Sequence, residues 1–308
     1  MPDGGYVWWY LDGISADGRY GVTLIAFVGS VFSPYYAAAR RKGAGAAPAE
    51  RHVAINLALY SLDGRGPGRW CMTERGAGAH RRRADFFQVG PSGLRWDGRT
   101  VVAEIEEWAV PLPRRVRGRI TLTPKAINAE AFALDPGGRH HWRPIGPIAD
   151  IALDFSAPQL SWRGEGYLDS NWGTEPLERR FLRWDWSRAA LPDGAGAAIL
   201  YDPTLADGAG EPLALHIDAA GRISRRPAPP RRALGKCFWG VERETLADEG
   251  AAPRLLKTLE DSPFYTRSLI ETRLFGQDLT AMHESLDLTR FDKRWVQTLL
   301  PFRMPRRA

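Results

Sequence analysis

Tyr167, Asp169 and Asn171 stand at i, i+2 and i+4 of GYLDSNWG (166–173). On a strand, alternate side chains share a face, so these three would point one way and Leu168 and Ser170 the other. An aspartate in the middle of an aromatic, glycine-flanked face is a candidate general acid. Burial against tryptophan disfavours the carboxylate and raises its pKa, which keeps the group protonated near neutrality. Taken alone, composition leans toward a plainer role, with Asp169 capping a turn and Tyr167 bonding to backbone, as is common beside glycine.

RHHWRP (139–144) is the second constellation. After the DPGG turn (135–138), His140 and Trp142 share one strand face and His141 takes the other. An imidazole beside an indole can hold a water and shield a cation; a hydrogen-bonded, half-buried histidine would look the same in sequence. Glu104 and Glu106 of VVAEIEEW (101–108) share a face, either as a second acid or as a solvated strand surface. Twelve tryptophans, including Trp8, Trp9, Trp172, Trp184 and Trp186, mostly fill sheet cores. A few of them suit the walls of a long apolar cavity.

Motifs that are missing narrow the chemistry. The chain has no GxGxxG, no phosphate-binding GxxxxGK[ST], no GxSxG and no HExxH; His283-Glu284 is followed by Ser-Leu-Asp. No cofactor and no metal are expected, and an enzyme built on this chain would work with acid, water and aromatic faces. Cys71 and Cys237 are too few and too far apart for a disulfide framework or a metal knuckle, which suits a reducing compartment. The net charge of +6 is carried almost wholly by arginine. Compositional bias accounts for it, or an anionic partner does; without a nucleic-acid-binding signature, a phospholipid surface fits better than nucleic acid.

The elements that must position these residues read as strands. YVWWYL (6–11) and GVTLIAFVGSVF (21–32) flank the turn ADGR as a hairpin, and HVAINLALYSL (52–62) continues the series. Turn signals recur along the rest of the chain, supplied by 32 glycines and 23 prolines. PYYAAARRK (34–42) and the extreme C-terminus invite short helices, while 43–50, 75–83 and 225–232 read as mobile stretches. The expectation is an all-β protein of two consecutive units, 1–176 and 177–308. MPDGGY lacks a basic and apolar leader, so no signal peptide is expected, and the longest apolar run, 22–32, is too short for a transmembrane helix.

Four segments carry a family resemblance: WWYLDGISADGRYGVTLIAFVGSVFSPYYAAAR (8–40), EEWAVPLPRRVRGRITLTP (106–124), RHHWRPIGPIADI (139–151) and GEGYLDSNWGTEPLERRFLRWDWSR (164–188). Together they resemble the carotenoid 1,2-hydratases, also called hydroxyneurosporene synthases, with FSPYY and the GYxDxNxG–PLE segment the most specific pieces. The resemblance implies two lipocalin-like antiparallel β-barrel or sandwich domains. It also implies cofactor-free addition of water to the terminal double bond of an acyclic carotenoid such as neurosporene or lycopene. The setting would be peripheral, on the cytoplasmic side of the photosynthetic membrane of a bacterium.

Under that resemblance Asp169 is the proton donor, Tyr167 and Trp142 shape the pocket and face the cation, and His140 orients the water or accepts its proton. Asn171 and Trp172 are expected to contact substrate, and spacing alone would let Asn171 either polarise Asp169 or hold the water. Two other functions suit the same fold: a cyclase or isomerase with a drier pocket, and a non-catalytic carotenoid carrier. The tail RWVQTLLPFRMPRRA (294–308) reads either as an interfacial anchor or as a last strand with a basic end.

Overall fold

Alternating patterns become antiparallel sheet almost throughout the computed structural model, which describes residues 1–307. The chain sorts into two compact units. The first holds residues 1–132 and 139–176 with the tail from Thr298 on; the second holds 133–138 and 177–297. The sequence boundary at 176 thus differs from the structure in two places, the short segment carrying the DPGG turn and the returning tail. The tail returns because it completes an edge: Arg306 and Arg307 pair in parallel with Glu74 and Arg75. Arg306 also forms an ion pair with buried Glu74, whose carboxylate accepts from His52 as well.

In the first unit the strands are Tyr6–Ser15 (β1), Tyr20–Val28 (β2), Val53–Ser61 (β3), Arg69–Arg75 (β4), His80–Arg83 (β5), Phe86–Val89 (β6), Ser92–Trp96 (β7), Val101–Trp108 (β8), Arg115–Pro124 (β9), Phe132–Ala133 (β10), His140–Ala157 (β11) and Gln159–Gly173 (β12). They order as β4-β3-β2-β1-β12-β11-β9-β8-β7-β6-β5, with β10 paired to β11. The sheet curls so that one face gathers a single apolar core from Leu11, Leu24, Leu57, Ile105, Ile120, Leu153 and Leu168. The segment 75–83, expected to be mobile, instead runs from the end of β4 into β5, a short charged strand at the edge of the sheet.

PYYAAARRK forms helix α1 (Pro34–Lys42). Ser33 caps it by accepting from the Tyr35 and Tyr36 amides, and Pro34 enters at the first turn, where a missing N–H costs nothing. The Tyr36 hydroxyl donates to the Gly5 carbonyl, fixing the helix beside the start of β1.

The second unit contains Phe181–Leu191 (β13), Gly196–Leu205 (β14), Gly208–Ala209 (β15), Leu213–Asp218 (β16), Ile223–Arg226 (β17), Arg231–Lys236 (β18), Glu242–Leu246 (β19), Arg254–Asp261 (β20), Tyr265–Leu274 (β21) and Gln277–Asp287 (β22). One sheet of eight strands has the order β17-β16-β14-β13-β22-β21-β20 with β15 paired to β14, and β18–β19 form a separate hairpin. Its core draws on Ala189, Leu191, Leu200, Leu246, Ile270 and Leu279. Short helices follow at 288–291 and 294–299, where the sequence invited them.

Candidate active site

The two long strands β11 and β12 form a hairpin, and β1 lies along the other side of β12. Across these strands the register pairs Tyr10 with Asp169, Trp8 with Asn171, Trp142 with Asn171, and Tyr6 and His140 with Gly173. Directly opposed residues in an antiparallel pair share a face. Tyr6, Trp8, Tyr10 and Asp12 of β1 therefore join Tyr167, Asp169 and Asn171 of β12 and His140 and Trp142 of β11 on one surface. The reverse face carries Leu11 and Leu168, which belong to the first unit's core. The polar face of GYLDSNWG thus points away from that core.

Asp169 is 4% exposed, and Tyr167, Trp142 and His140 are fully buried. The Trp142 indole N–H and the Tyr167 hydroxyl both donate to Asp169 Oδ2, each at 2.9 Å. Asp169 lies opposite a bulge: Arg143 pairs with Ser170 and Gly146 with Leu168, leaving Pro144 and Ile145 to face a single residue. Such a bulge bends the strand and re-aims neighbouring side chains. Here it sits two residues after Trp142, whose indole reaches the carboxyl.

Beside the acid, Tyr6 OH and His140 Nδ1 share a hydrogen bond of 2.9 Å, and the two rings stack at 5.9 Å. His140 Nε2 is 3.6 Å from Glu175 Oε1. Gly173 is required by this closeness, because a Cβ there would meet the Tyr6 ring at 2.6 Å and His140 Nδ1 at 2.7 Å. Aromatic rings surround the group: Tyr6 stacks on Trp8 at 5.0 Å, Trp8 lies 6.2 Å from Phe32, and Phe132 lies 5.6 Å from Trp142. FSPYY contributes both through Phe32 and through the capped helix that follows it.

Trp172 differs from the sequence expectation. It lies on the opposite face from Asp169, stacked on His141 at 5.3 Å with the Arg143 guanidinium 5.8 Å from its ring centroid. The two-residue period of a strand requires this, since 172 and 169 have opposite parity. Glu104 and Glu106 are also outside the group. Both are solvent-facing on β8, paired with Arg119 at 2.6 Å and Arg115 at 2.5 Å.

Sequence reading passed over Tyr6, Trp8, Tyr10 and Asp12. Asp12 is fully buried and accepts from Tyr10 OH at 2.7 Å. Tyr10 meets Tyr167 edge-on at 6.1 Å. The signal was present as Tyr-x-Trp-x-Tyr-x-Asp in YVWWYLD, the same alternation that singled out Tyr167, Asp169 and Asn171. It was hidden because Trp8-Trp9 reads as core filler.

A second buried acid lies in the second unit. Asp185 of β13 accepts from the Glu244 amide at 3.1 Å and from the Ser285 hydroxyl, and stands 3.8 Å from His283 Nε2. Burial pushes its pKa up to about 7. Burial likewise holds His283 down at about 4, with the Glu244 carbonyl 2.7 Å from its Nε2. Among the described residues, no three His, Cys, Asp or Glu side chains group as metal ligands.

Comparison with known proteins gives the chain a family. The family model for carotenoid hydratase CrtC matches residues 24–308. The chain belongs to the carotenoid hydratase CrtC family. It is 51% identical over 307 residues to the acyclic carotenoid 1,2-hydratase of Thiocapsa roseopersicina, covering 99% of this chain and 74% of that one. Against the acyclic carotenoid 1,2-hydratase of Rhodobacter capsulatus it is 40% identical over 287 residues, 92% of this chain and 98% of the relative.

For this family member the fold has parallels among solved structures. An AttH candidate from Nitrosomonas europaea superposes with a TM-score of 0.61 at 16% identity, covering 92% of both chains. CghA with Sch210972 gives 0.58 at 11% identity over 92% of this chain and 88% of the other. At such identities the likeness concerns the fold, and it agrees with two lipocalin-like all-β units.

Proposed function

We propose that this carotenoid hydratase adds water across the terminal double bond of an acyclic carotenoid, with Asp169 as the proton donor. The observation that carries the reading is the convergence of Trp142 and Tyr167 on Asp169 Oδ2 within an aromatic, buried surface. A trisubstituted alkene is a poor base, so it needs a neutral carboxylic acid in apolar surroundings. With both donors on Oδ2, the acid proton is carried on Oδ1. Donation to the inner CH carbon leaves a tertiary cation on the carbon bearing two methyls. The faces of Trp8, Trp142 and Tyr167 stabilise that cation without attacking it, an interaction worth about 2 kcal/mol when desolvated.

Water then adds to the tertiary carbon and gives up a proton. In this reading His140 takes it at Nε2, supported by the Tyr6 hydrogen bond to the ring and by Glu175 beside the resulting imidazolium. Returning that proton to Asp169 restores the enzyme, so the sum of the steps is alkene plus water giving a tertiary alcohol. Asn171, between Trp8 and Trp142 in the register, would hold the water. Incubating the purified chain with lycopene-loaded liposomes in D₂O tests the reaction. One deuterium on the carbon next to the hydroxyl-bearing carbon is expected; a cyclised product, or bound but unaltered lycopene, would contradict it.

We further propose that the protein reaches its insoluble substrate by peripheral contact with membrane lipid. No helix among the described residues is long and apolar enough to span a bilayer. The tail is largely committed to packing, with Val296, Leu300 and Met304 buried. A better candidate is the exposed aromatic group of the second unit: Phe238 is 88% exposed, and Trp239 stacks on Trp295 at 6.2 Å. Arg290 supports it, donating to the Trp239 carbonyl at 2.6 Å and lying 5.9 Å from the Trp295 ring centroid. Such residues settle at lipid–water boundaries. Liposome flotation should weaken at least several-fold in the F238S/W295S double variant, and unchanged flotation would remove the assignment.

A further inference from the structure

On the reverse side of β12 from Asp169, the first unit opens a cavity of about 350 Å³. Two cross-strand rows build it. In one, Trp9 and Arg143 both pair with Ser170. In the other, Arg82 pairs with Phe87 and Phe87 with Leu94, so the three share a face. Trp9 and Phe87, with ring centroids 5.5 Å apart, join the rows into one apolar wall, completed by Trp96 and Leu168.

The rim is cationic. Arg82, Arg83, Arg95 and Arg143 line it against one carboxylate, Asp85. Arg83 and Arg95 flank Phe86 across three strands and so belong to the opposite strand face from Arg82, Phe87 and Leu94, which leaves Arg82 and Arg143 as the cations on the cavity's own face. Among the described residues neither Arg82 nor Arg143 takes part in an ion pair, whereas Arg115 and Arg119 on the neighbouring β9 are both paired with glutamates. An edge strand often carries charge to deter pairing, but that alone would leave Arg82 over an apolar opening without reason. Arginine's planar fork suits phosphate, which it can grip bidentately. The volume is at the low end of the roughly 300–1,000 Å³ usual for small-molecule sites and suits one apolar chain.

We propose that this mouth binds an anionic phospholipid, one acyl chain inserted against Trp9, Phe87 and Leu94 and the phosphate held by Arg82 and Arg143. A carotenoid hydrocarbon would fill the walls and leave the cationic rim unused. The site is distinct from the acid face, since Leu168 lines it while Asp169 points the other way. The inference rests on the first unit alone and stands apart from the proposed hydration.

Binding to the full chain is measured by calorimetry with dihexanoyl phosphatidylglycerol as monomers, beside dihexanoyl phosphatidylcholine and decanoate. Saturable binding of phosphatidylglycerol at least tenfold tighter than phosphatidylcholine is expected, weakening as salt is raised. R82A/R143A should erase the preference, and L94W should block both lipids by filling the mouth. Circular dichroism checks the fold of each variant, and the salt titration on the unaltered chain gives a readout that needs no variant. Equal binding of the two phospholipids, no saturable binding, or tighter binding of decanoate would each overturn the assignment.

Discussion

Asp169 and Asp185 are both mid-strand aspartates set among tryptophans, in GYLDSNWG and RWDWSR, and both are buried. Their surroundings separate them. Asp185 shares a strand face with Ala189 and Leu191, which belong to the second unit's core, and is tied by Ser285 and a backbone amide. Its cross-strand partner Asp202 is itself held by Arg231 through two bonds, of 2.6 and 2.7 Å. Asp169 instead turns away from its unit's core and takes both donors from aromatic side chains, opposite a bulge. One arrangement locks a polar cluster inside a unit; the other presents an acid on an aromatic surface. Burial alone therefore does not separate the two carboxyls. The partners and the face do.

The comparison is broken most severely by exchanging each acid for its amide. D169N should fold and lose about 10²–10⁴ of the hydration rate, the usual contribution of a general acid. D185N should keep the rate within a few-fold, as measured by product formation from liposome-borne lycopene. Equal losses in the two variants would erase the distinction between the clusters. A smaller effect is expected when one donor to Asp169 is removed. Y167F keeps the ring and W142F keeps an aromatic face, and each should slow turnover by roughly ten- to hundredfold, consistent with a hydrogen bond to a charged or polarised group worth about 1.5–3 kcal/mol. The corresponding S285A change beside Asp185 should leave turnover unaltered.

The smallest and most diagnostic effect is in stability against pH. Asp185 is raised to about 7 in the folded state, so its contribution falls as pH rises from about 4 to 7. His283 is lowered to about 4, so its contribution falls in the other direction, as pH drops from about 6.5 to 4. Between pH 4 and 6.5 the two slopes oppose each other. Relative to the parent chain, D185N should gain stability from pH 4.5 to 6.5, and H283Q should lose it. Urea midpoints at the two pH values read both, and parallel midpoints in all three proteins would contradict the cluster's assignment.

Much of this was legible in the sequence because local signals agreed. The hairpin around ADGR and the helix at 34–42 were marked by turn residues and by Ser33-Pro34 at a helix start. The shared face of Tyr167, Asp169 and Asn171 followed from the strand period. What stayed hidden depends on pairing between distant strands. The β11–β12 bulge that brings Trp142 to Asp169 has no local marker beyond Pro144, and β1 entered the acid surface only through its register with β12. The arginine run in β5 looks like a loop because no alternation survives in HRRR; pairing with β6 makes it a strand. The tail's return to β4 likewise depends on Glu74, more than 200 residues away.

The claim at the centre of this account is that Asp169 is a neutral acid ready to donate. Infrared difference spectra at pH 7 between the parent chain and D169N read it directly, with D185N as the reference for the other buried aspartate. The account predicts that D169N removes a protonated-carboxyl carbonyl band that D185N retains. A D169N difference spectrum containing only carboxylate bands would show Asp169 ionised and contradict its role as the donor.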